Sequence, residues 1–132
     1  MSKEFAFLRW AEFDAAVARI AALAPPGLSG IYGEARGGLP LAVALSHALE
    51  IPLVKHAGHD VMWVDDIVDS GHTMQNKQDI FGYFAAWVVR KPDPKVIHAI
   101  VLETAWVVFP WEQIDAAAKE YASYEISRKN LS

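Results

Sequence analysis

An uninterrupted apolar run that ends abruptly in acids constrains this chain more than any other feature. The run is Val61-Met62-Trp63-Val64, and Asp65-Asp66 follows it directly. A short continuous apolar segment is expected of a strand that is buried on both faces, as in a parallel sheet. Ligands of such sheets bind beyond the carboxyl ends of the strands, so the acids predict a binding site at this strand end.

Strands and helices are predicted to alternate, which is typical of an α/β fold with a mostly parallel twisted sheet flanked by helices. Pro25-Pro26-Gly27 ends the first helix, and Pro40 suits the first turn of the second. The predicted helices cover residues 11–24, 40–49 and 73–81. The predicted strands cover residues 5–10, 31–35, 51–54, 61–64, 84–89 and 96–102. No linker or repeat divides the sequence, so residues 1–132 are predicted to form a single domain.

The acids belong to a segment that suits a sugar phosphate. Asp65, Asp66 and Asp69 precede the turn Ser70-Gly71-His72-Thr73. Adjacent carboxylates at a strand end repel each other and lose solvation, so they need hydroxyl donors or a metal to stay charged. The turn offers backbone N–H groups and hydroxyls for a phosphate. The alternative is that Ser70 merely caps the next helix, which leaves the three acids after a buried strand unexplained.

Residues 64–74 resemble the signature of the type I phosphoribosyltransferases, hydrophobic-Asp-Asp-hydrophobic-x-Asp-Thr/Ser-Gly-x-Thr. The resemblance implies phosphoribosyl pyrophosphate (PRPP) as donor. It implies that Asp65 and Asp66 hold the ribose hydroxyls, directly or through Mg²⁺. It implies that Asp69 lies near the attacking nitrogen as general base, and its position beside two carboxylates predicts a raised proton affinity. The residues implied to bind the ribose 5′-phosphate group are Asp65, Asp66, Asp69, Ser70, Gly71, His72 and Thr73.

A second segment, Ala35-Arg36-Gly37-Gly38, follows an earlier predicted strand. It is similar to the Ser-Arg-Gly-Gly loop of bacterial xanthine-guanine phosphoribosyltransferases. The resemblance implies that this loop binds pyrophosphate through its backbone N–H groups and Arg36. Glycines that open a helix suit an anion, because they let the backbone approach it closely. Taken alone, Arg-Gly-Gly is equally a plain tight turn.

A third resemblance concerns the acceptor base. Arg90-Lys91-Pro92 and the segment that begins Trp106-Val107 are similar to purine-contacting segments of the same enzymes. They imply that Lys91 faces the purine oxygen and that Trp106 stacks on the ring, with Val107 beside it. An aromatic face near an ammonium suits an oxo-bearing heterocycle. The alternatives are a core aromatic at Trp106 and a solvated Lys91; Glu112 is a further candidate Mg²⁺ ligand and equally a surface acid.

One departure from the family concerns its lid. The family inserts a flexible loop between the strand at 51–54 and the acidic motif, and here only residues 55–60 fill the gap. A lid excludes water, which would otherwise hydrolyse an oxocarbenium-like intermediate. His56, His59 and Asp60 in this gap invite a metal site, but no helix fixes their spacing, so a solvated turn is favoured.

Composition excludes several classes of protein. A net charge of −4 without a basic run argues against a nucleic-acid partner, and the absence of cysteine excludes disulfides and thiolate metal sites. With no signal peptide or membrane-spanning segment apparent, a cytoplasmic location is expected. Five tryptophans in 132 residues predict a covered aromatic surface, and we expect a homodimer.

The sequence therefore predicts transfer of phosphoribosyl from PRPP to a 6-oxopurine, either hypoxanthine, guanine or xanthine. Mg²⁺ is the expected cofactor, and the predicted catalytic residues are Asp69, Asp65, Asp66 and Arg36. The alternative is a noncatalytic protein that keeps the fold and binds PRPP or a nucleotide. The short gap before the acidic motif favours that alternative, whereas Asp69 and the purine-contact segments favour an enzyme.

Overall fold

A computed structural model describes residues 4–113 and 121–125, and the chain divides into two compact units. Unit 1 consists of Met1–Glu12 and Thr104–Ser132, and unit 2 of Phe13–Glu103. The elements in chain order are β1 (Phe5–Phe7), α1 (Trp10–Leu23), β2 (Gly30–Gly33), α2 (Leu39–Leu49), β3 (Gly58–Val68), α3 (His72–Gln75), β4 (Phe81–Val89), β5 (Val96–Val101) and β6 (Trp106–Val108). Residues 121–125 are also helical.

The strands of unit 2 form one four-stranded sheet in the order β2-β3-β4-β5. Every recorded pairing between these strands is parallel. Asp65 lies opposite Ala86, and Val68 opposite Val89, so the carboxyl ends of β3 and β4 are neighbours. In unit 1, β1 and β6 form a separate parallel pair with Phe5 opposite Trp106. The predicted α/β class with a mostly parallel sheet flanked by helices is confirmed.

Both faces of the unit 2 sheet are covered, as the continuous apolar runs predicted. On one face Trp63 of β3 and Phe84 of β4 pack with Met74 of α3 in a buried cluster. On the other face Trp87 of β4 meets Phe13 of α1, with ring centroids 5.5 Å apart. Side chains alternate along a strand, so β3 and β4 supply both layers from adjacent residues.

Several predicted strands have different bounds in the structure: those at 5–10, 31–35 and 84–89 are β1 (Phe5–Phe7), β2 (Gly30–Gly33) and β4 (Phe81–Val89). Three further elements differ more. The predicted strand at 51–54 is reduced to a single bridge between Ile31 and Leu53. The predicted strand at 61–64 is part of the longer β3, which continues through both acids because β4 offers it a pairing partner. The predicted helix at 73–81 ends at Gln75, because Phe81 joins the sheet opposite Gly58 and is buried there.

The connection between β4 and β5 is unusually short for parallel strands. Such neighbours normally need a crossover of a dozen or more residues. Here residues 90–95 alone lead from the end of β4 back to Val96, which lies opposite Phe84. The segment carries two prolines, Pro92 and Pro94, whose fixed φ suits an extended return path.

Within residues 4–113 and 121–125, no helix combines the length and the apolar character needed to cross a membrane. The single domain predicted from the sequence stays a prediction.

Candidate functional site

Asp65 and Asp66 lie in the second half of β3, both partly buried. Each carboxylate accepts a hydrogen bond from the backbone N–H of the next residue. The N–H of Asp66 donates to Oδ1 of Asp65 at 2.8 Å, and the N–H of Ile67 donates to Oδ1 of Asp66 at 2.8 Å. Because the acids continue a paired strand, the sheet fixes their backbone and they are not loop residues.

Burial raises the pKa of Asp65 to about 8. Desolvation is the largest cause, followed by the charge of Asp66 and a side-chain hydrogen bond with it, while Glu34 adds a smaller repulsion. The backbone N–H of Asp66 acts in the opposite direction. The raised proton affinity that the sequence predicts for Asp69 stays a prediction; its Oδ1 accepts a hydrogen bond from Nε of Arg90.

The loop of residues 35–38 packs directly against this acidic pair. A Cβ on Gly37 would collide with Oδ2 of Asp66. A Cβ on Gly38 would collide with the carbonyl O of Val64 and lie 2.9 Å from Cα of Asp65. Gly38 is therefore required by its close approach to backbone atoms, Gly37 lies against the Asp66 carboxylate, and the two predicted motifs are in direct contact. The peptide bond between Ala35 and Arg36 is cis, and both of these residues are exposed.

The same loop opens α2, as the sequence predicted. Gly38 occupies the N-cap position without a side-chain cap, and Pro40 lies in the first turn. The N–H of Gly38 donates back to the carbonyl O of Glu34 at 2.8 Å, which closes the loop. The start of an eleven-residue helix, with an exposed Arg36 beside it, suits an anion.

Glu34 holds this loop to the sheet, and the sequence analysis missed it. Its N–H donates to the carbonyl O of Val64 at 2.8 Å. Its carboxylate accepts a hydrogen bond from Nε1 of Trp63 at 2.9 Å, and Nζ of Lys77 lies 3.9 Å from the same oxygen. An acid two residues before Arg36 was the only sequence signal, since the partners of Glu34 come from distant parts of the chain.

The turn after β3 forms a small cavity of about 90 Å³. Gly71 has a φ of +85°, which a side chain would strain, and Oγ of Ser70 accepts a hydrogen bond from the N–H of His72 at 3.3 Å. Because α3 has a single turn, its dipole is small, and the backbone N–H groups and hydroxyls are the groups that suit a phosphate. The lining residues are Trp63, Asp65 and residues 67–74.

Asp69 lies between this cavity and a larger one of about 260 Å³. Oδ1 of Asp69 accepts a hydrogen bond from Nε of Arg90 at 3.0 Å. Lys91 follows Arg90 and lines the larger cavity together with Asp69. The full lining is residues 68–71, Met74 and residues 91–94. The structure thus brings Lys91 to the same cavity as Asp69. Arg90 was missed as a functional residue, although it stands at the end of a strand next to the acidic one.

The remaining predicted site residues belong to unit 1. Trp106 packs on Tyr121 and Tyr124, with ring centroids 5.2 and 5.1 Å away, and Val107 is buried in β6. Oε1 of Glu112 accepts a hydrogen bond from the N–H of Phe109 at 2.9 Å. Base contact by Trp106 and Val107, and metal binding by Glu112, stay predictions.

Between the bridge at Leu53 and the start of β3 there are only residues 54–57. In the described chain, nothing longer is inserted where the family carries its lid.

The acidic pair offers only carboxylate oxygens to a metal ion, which are ligands that Mg²⁺ prefers. In the part of the chain that the structure describes, no three His, Cys, Asp or Glu side chains are arranged to hold an ion. Two neighbouring carboxylates still fit Mg²⁺, because this ion is usually held by one or two carboxylates together with substrate phosphates and water. His56 is exposed, with Nδ1 3.2 Å from the carbonyl O of Ala57, and forms no metal cluster with His59 and Asp60.

Comparisons with known proteins support the fold. No protein-family model matches the chain, and neither does any curated protein. Among solved structures, a purine phosphoribosyltransferase from Pyrococcus horikoshii Ot3 is 26% identical with a TM-score of 0.71, and the match covers 84% of this chain and 96% of that one. A hypothetical protein from Neisseria gonorrhoeae with bound ppGpp is 16% identical with a TM-score of 0.67, over 90% of this chain and 96% of that one.

Proposed function

We propose that this chain, which has the type I phosphoribosyltransferase fold, transfers the 5-phosphoribosyl group from PRPP to a 6-oxopurine and releases pyrophosphate. The observation that carries the proposal is the contact between the Arg36–Gly38 loop and the acidic pair of β3. An anion-binding loop against carboxylates that suit hydroxyls is what a pyrophosphorylated ribose requires.

The donor would span three groups of residues. Pyrophosphate would bind to the backbone of residues 35–38, to Arg36 and to the start of α2. The ribose hydroxyls would face Asp65 and Asp66. The 5′-phosphate would occupy the smaller cavity, where Ser70 and Thr73 offer hydroxyls and the turn offers backbone N–H groups.

Mg²⁺ would be held by Asp65 and Asp66 together with donor oxygens, and it would offset the charge of the leaving pyrophosphate. Glu112 remains a further candidate ligand. Arg36 and the loop N–H groups other than that of Gly38, which donates to Glu34, would add hydrogen bonds to the departing anion. As the bond from the anomeric carbon to pyrophosphate breaks, the carboxylates of β3 would stabilise the positive charge that develops on the ribose.

The acceptor would enter the larger cavity. A ring nitrogen of the purine would form the new bond to the anomeric carbon, and the proton that the purine loses would pass to Asp69 as general base. Lys91 lines the same cavity and would bind the purine oxygen. Trp106 is proposed to stack on the ring, with Val107 beside it. The similarity to the Pyrococcus enzyme supports this acceptor class, and nearly all of that enzyme has a counterpart here.

A noncatalytic nucleotide-binding protein is the second candidate function. The short connection before β3 favours it, because a site without a lid excludes water poorly. The Neisseria protein with bound ppGpp has a similar fold and is consistent with nucleotide binding, although its 16% identity supports the fold alone. Because the short connection before β3 leaves the site open, we also propose a homodimer that covers it. The cytoplasmic location stays a prediction.

The test is nucleotide formation from PRPP and Mg²⁺ with hypoxanthine, guanine, xanthine, adenine and orotate offered separately. The proposal expects product from one or more of the three oxopurines, and none from adenine or orotate. Product from orotate alone would overturn the acceptor assignment. No product with any base, with measurable PRPP binding, would favour the nucleotide-binding protein.

A further inference from the structure

Arg90 joins three chain segments beside the larger cavity. Its Nε donates to Oδ1 of Asp69 at 3.0 Å, and its Nη1 donates to the carbonyl O of Leu102, just after β5, at 3.0 Å. Its backbone N–H donates to the carbonyl O of Val68 at 3.2 Å. One residue at the end of β4 therefore holds the turn after β3 and the chain after β5.

The two members of the Arg90–Asp69 pair differ in exposure. The side chain of Arg90 is 14% exposed, whereas that of Asp69 is 45% exposed. The guanidinium is the fixed member, because it is largely buried and anchored on a backbone carbonyl as well. Asp69 is the member that faces the cavity, and its position is set by where the guanidinium lies.

The hydrogen bond from Arg90 occupies one of the two carboxylate oxygens of Asp69. It engages Oδ1, so Oδ2 keeps its lone pairs for a ring N–H in the cavity. The guanidinium fork is planar and rigid, so it fixes direction as well as distance, which the ammonium of a lysine does not.

Arg90 also precedes Lys91 in the chain, and Lys91 lines the same cavity as Asp69. Because the backbone N–H of Arg90 is hydrogen-bonded to Val68, the backbone position of Lys91 is restrained as well. The backbone N–H of Arg90 thus places Lys91 and its guanidinium places Asp69, so one residue sets the distance between the proposed base and the proposed oxygen ligand.

We propose that Arg90 is a positioning residue for the acceptor base, which orients Asp69 and sets its spacing from Lys91 without contacting the donor. This inference rests on the proposed function, since it assigns the larger cavity to the acceptor. Its main effect is expected in acceptor use, because the guanidinium contacts none of the other proposed donor residues, 35–38, 65–66 and 70–73.

The test is a double-mutant cycle of Arg90→Gln and Asp69→Asn, with Lys95→Gln as a matched control on the same connection. The readouts are kcat/KM for the best oxopurine at saturating PRPP and the Kd of PRPP with Mg²⁺. Arg90→Gln should lower kcat/KM about 10- to 100-fold, in the range of coupling between contacting residues, and leave the Kd within about twofold. In the Asp69→Asn background the added loss should disappear.

A purely structural role for Arg90 gives the opposite result. The losses in kcat/KM from Arg90→Gln and from Asp69→Asn would then multiply in the double mutant, or the Kd of PRPP would rise as much as kcat/KM falls. Either outcome would overturn the inference. Arg90→Lys should recover little activity, because a point charge does not replace the fork. If Arg90→Gln does not fold, the same cycle with Arg90→Lys decides the question.

Failure of the proposed function is distinguishable from failure of this inference. If the unsubstituted protein makes no nucleotide, hypoxanthine is titrated by calorimetry into protein saturated with PRPP and Mg²⁺. Weaker hypoxanthine binding in Arg90→Gln with unchanged PRPP affinity would support the positioning role even in a noncatalytic protein. Equal hypoxanthine binding, or none in either protein, would overturn it.

Discussion

The acidic pair on β3 and Asp69 carry the same functional group, but they differ in burial and in the charge of the side chains beside them. Asp65 is partly buried next to two acids, Asp66 and Glu34, and its pKa is raised to about 8. Asp69 is exposed beyond the strand end and pairs with Arg90. Within a few residues of one another, the chain thus has a carboxyl whose pKa is raised by burial and by neighbouring acids, and an exposed one that is hydrogen-bonded to a guanidinium.

The two regions therefore suit different chemistry. A buried acid with close acidic neighbours becomes fully charged only when a cation or hydrogen-bond donors reach it. An exposed carboxylate held by a guanidinium keeps a fixed direction and is open to a ligand. We therefore expect the acidic pair to respond to the donor and Asp69 to respond to the acceptor.

The largest expected effect is at Asp69. Asp69→Asn removes the proposed proton acceptor and should lower turnover by about two to four orders of magnitude. PRPP binding should persist, because the amide keeps the size of the side chain and the other residues that line the proposed phosphate cavity are unchanged. Steady-state kinetics and PRPP titration measure the two quantities separately. Asp79→Asn, another exposed aspartate, is the control, and unchanged turnover in Asp69→Asn would remove this residue from the mechanism.

The next largest effect is expected where the loop of residues 35–38 contacts β3. Gly38→Ala adds a Cβ that meets backbone atoms of Val64 and Asp65, which cannot move aside cheaply. The loop must shift, and a displacement of about 1 Å near reacting groups costs on the order of 100-fold in rate. The measurement is kcat/KM for PRPP.

Gly58→Ala is the matched control for that substitution. Its Cβ would first meet Cγ2 of Val61 at 3.1 Å, a side-chain methyl far from the proposed donor site. Retained donor use in Gly38→Ala would contradict the role of the close approach.

The smallest effect is on stability and tests the buried acid. Asp65 has its raised pKa only in the folded state, so the folded protein binds more protons between about pH 4 and pH 8. Stability from this group is therefore present at low pH and is lost as pH rises toward 8. Without ligand, the free energy of unfolding should fall by roughly 1 kcal/mol or more from pH 5 to pH 8, since one pKa unit corresponds to about 1.4 kcal/mol.

Asp65→Asn should remove that fall, because an amide does not ionise and retains the oxygen that accepts the N–H of Asp66. Denaturant unfolding at the two pH values measures the slope. An equal slope in Asp65→Asn and the unsubstituted protein would show that another group causes it.

Local sequence patterns predicted most elements whose partners lie nearby. The apolar spacing of α1 and the Pro40 start of α2 gave bounds within one residue of those found. The patterns failed where distant pairing decides structure. β3 continues through Asp65 and Asp66 because β4 lies beside it, and β6 was missed because its partner β1 is at the other end of the chain.

The residues of the candidate site likewise divide into those with a local sequence motif and those that depend on distant partners. The acids, the Ser70-Gly71 turn and the Arg36–Gly38 loop each have a local motif, so the sequence indicated them. Glu34 and Arg90 have none, because each acts through partners that only the register of the sheet brings close. The raised pKa of Asp65 was not predicted, because the sequence alone does not say which acid the fold buries.

The approach of Gly37 to Asp66 links the fates of two positions 29 residues apart in the printed sequence. A side chain at 37 would meet the carboxylate of Asp66 in its present position, so a larger residue at 37 requires that carboxylate to turn away or to be lost. In descendants of this chain, we expect a substitution at 37 to accompany a displaced or missing acid at 66. Such a substitution would therefore mark a chain in which Asp66 no longer holds its ligand.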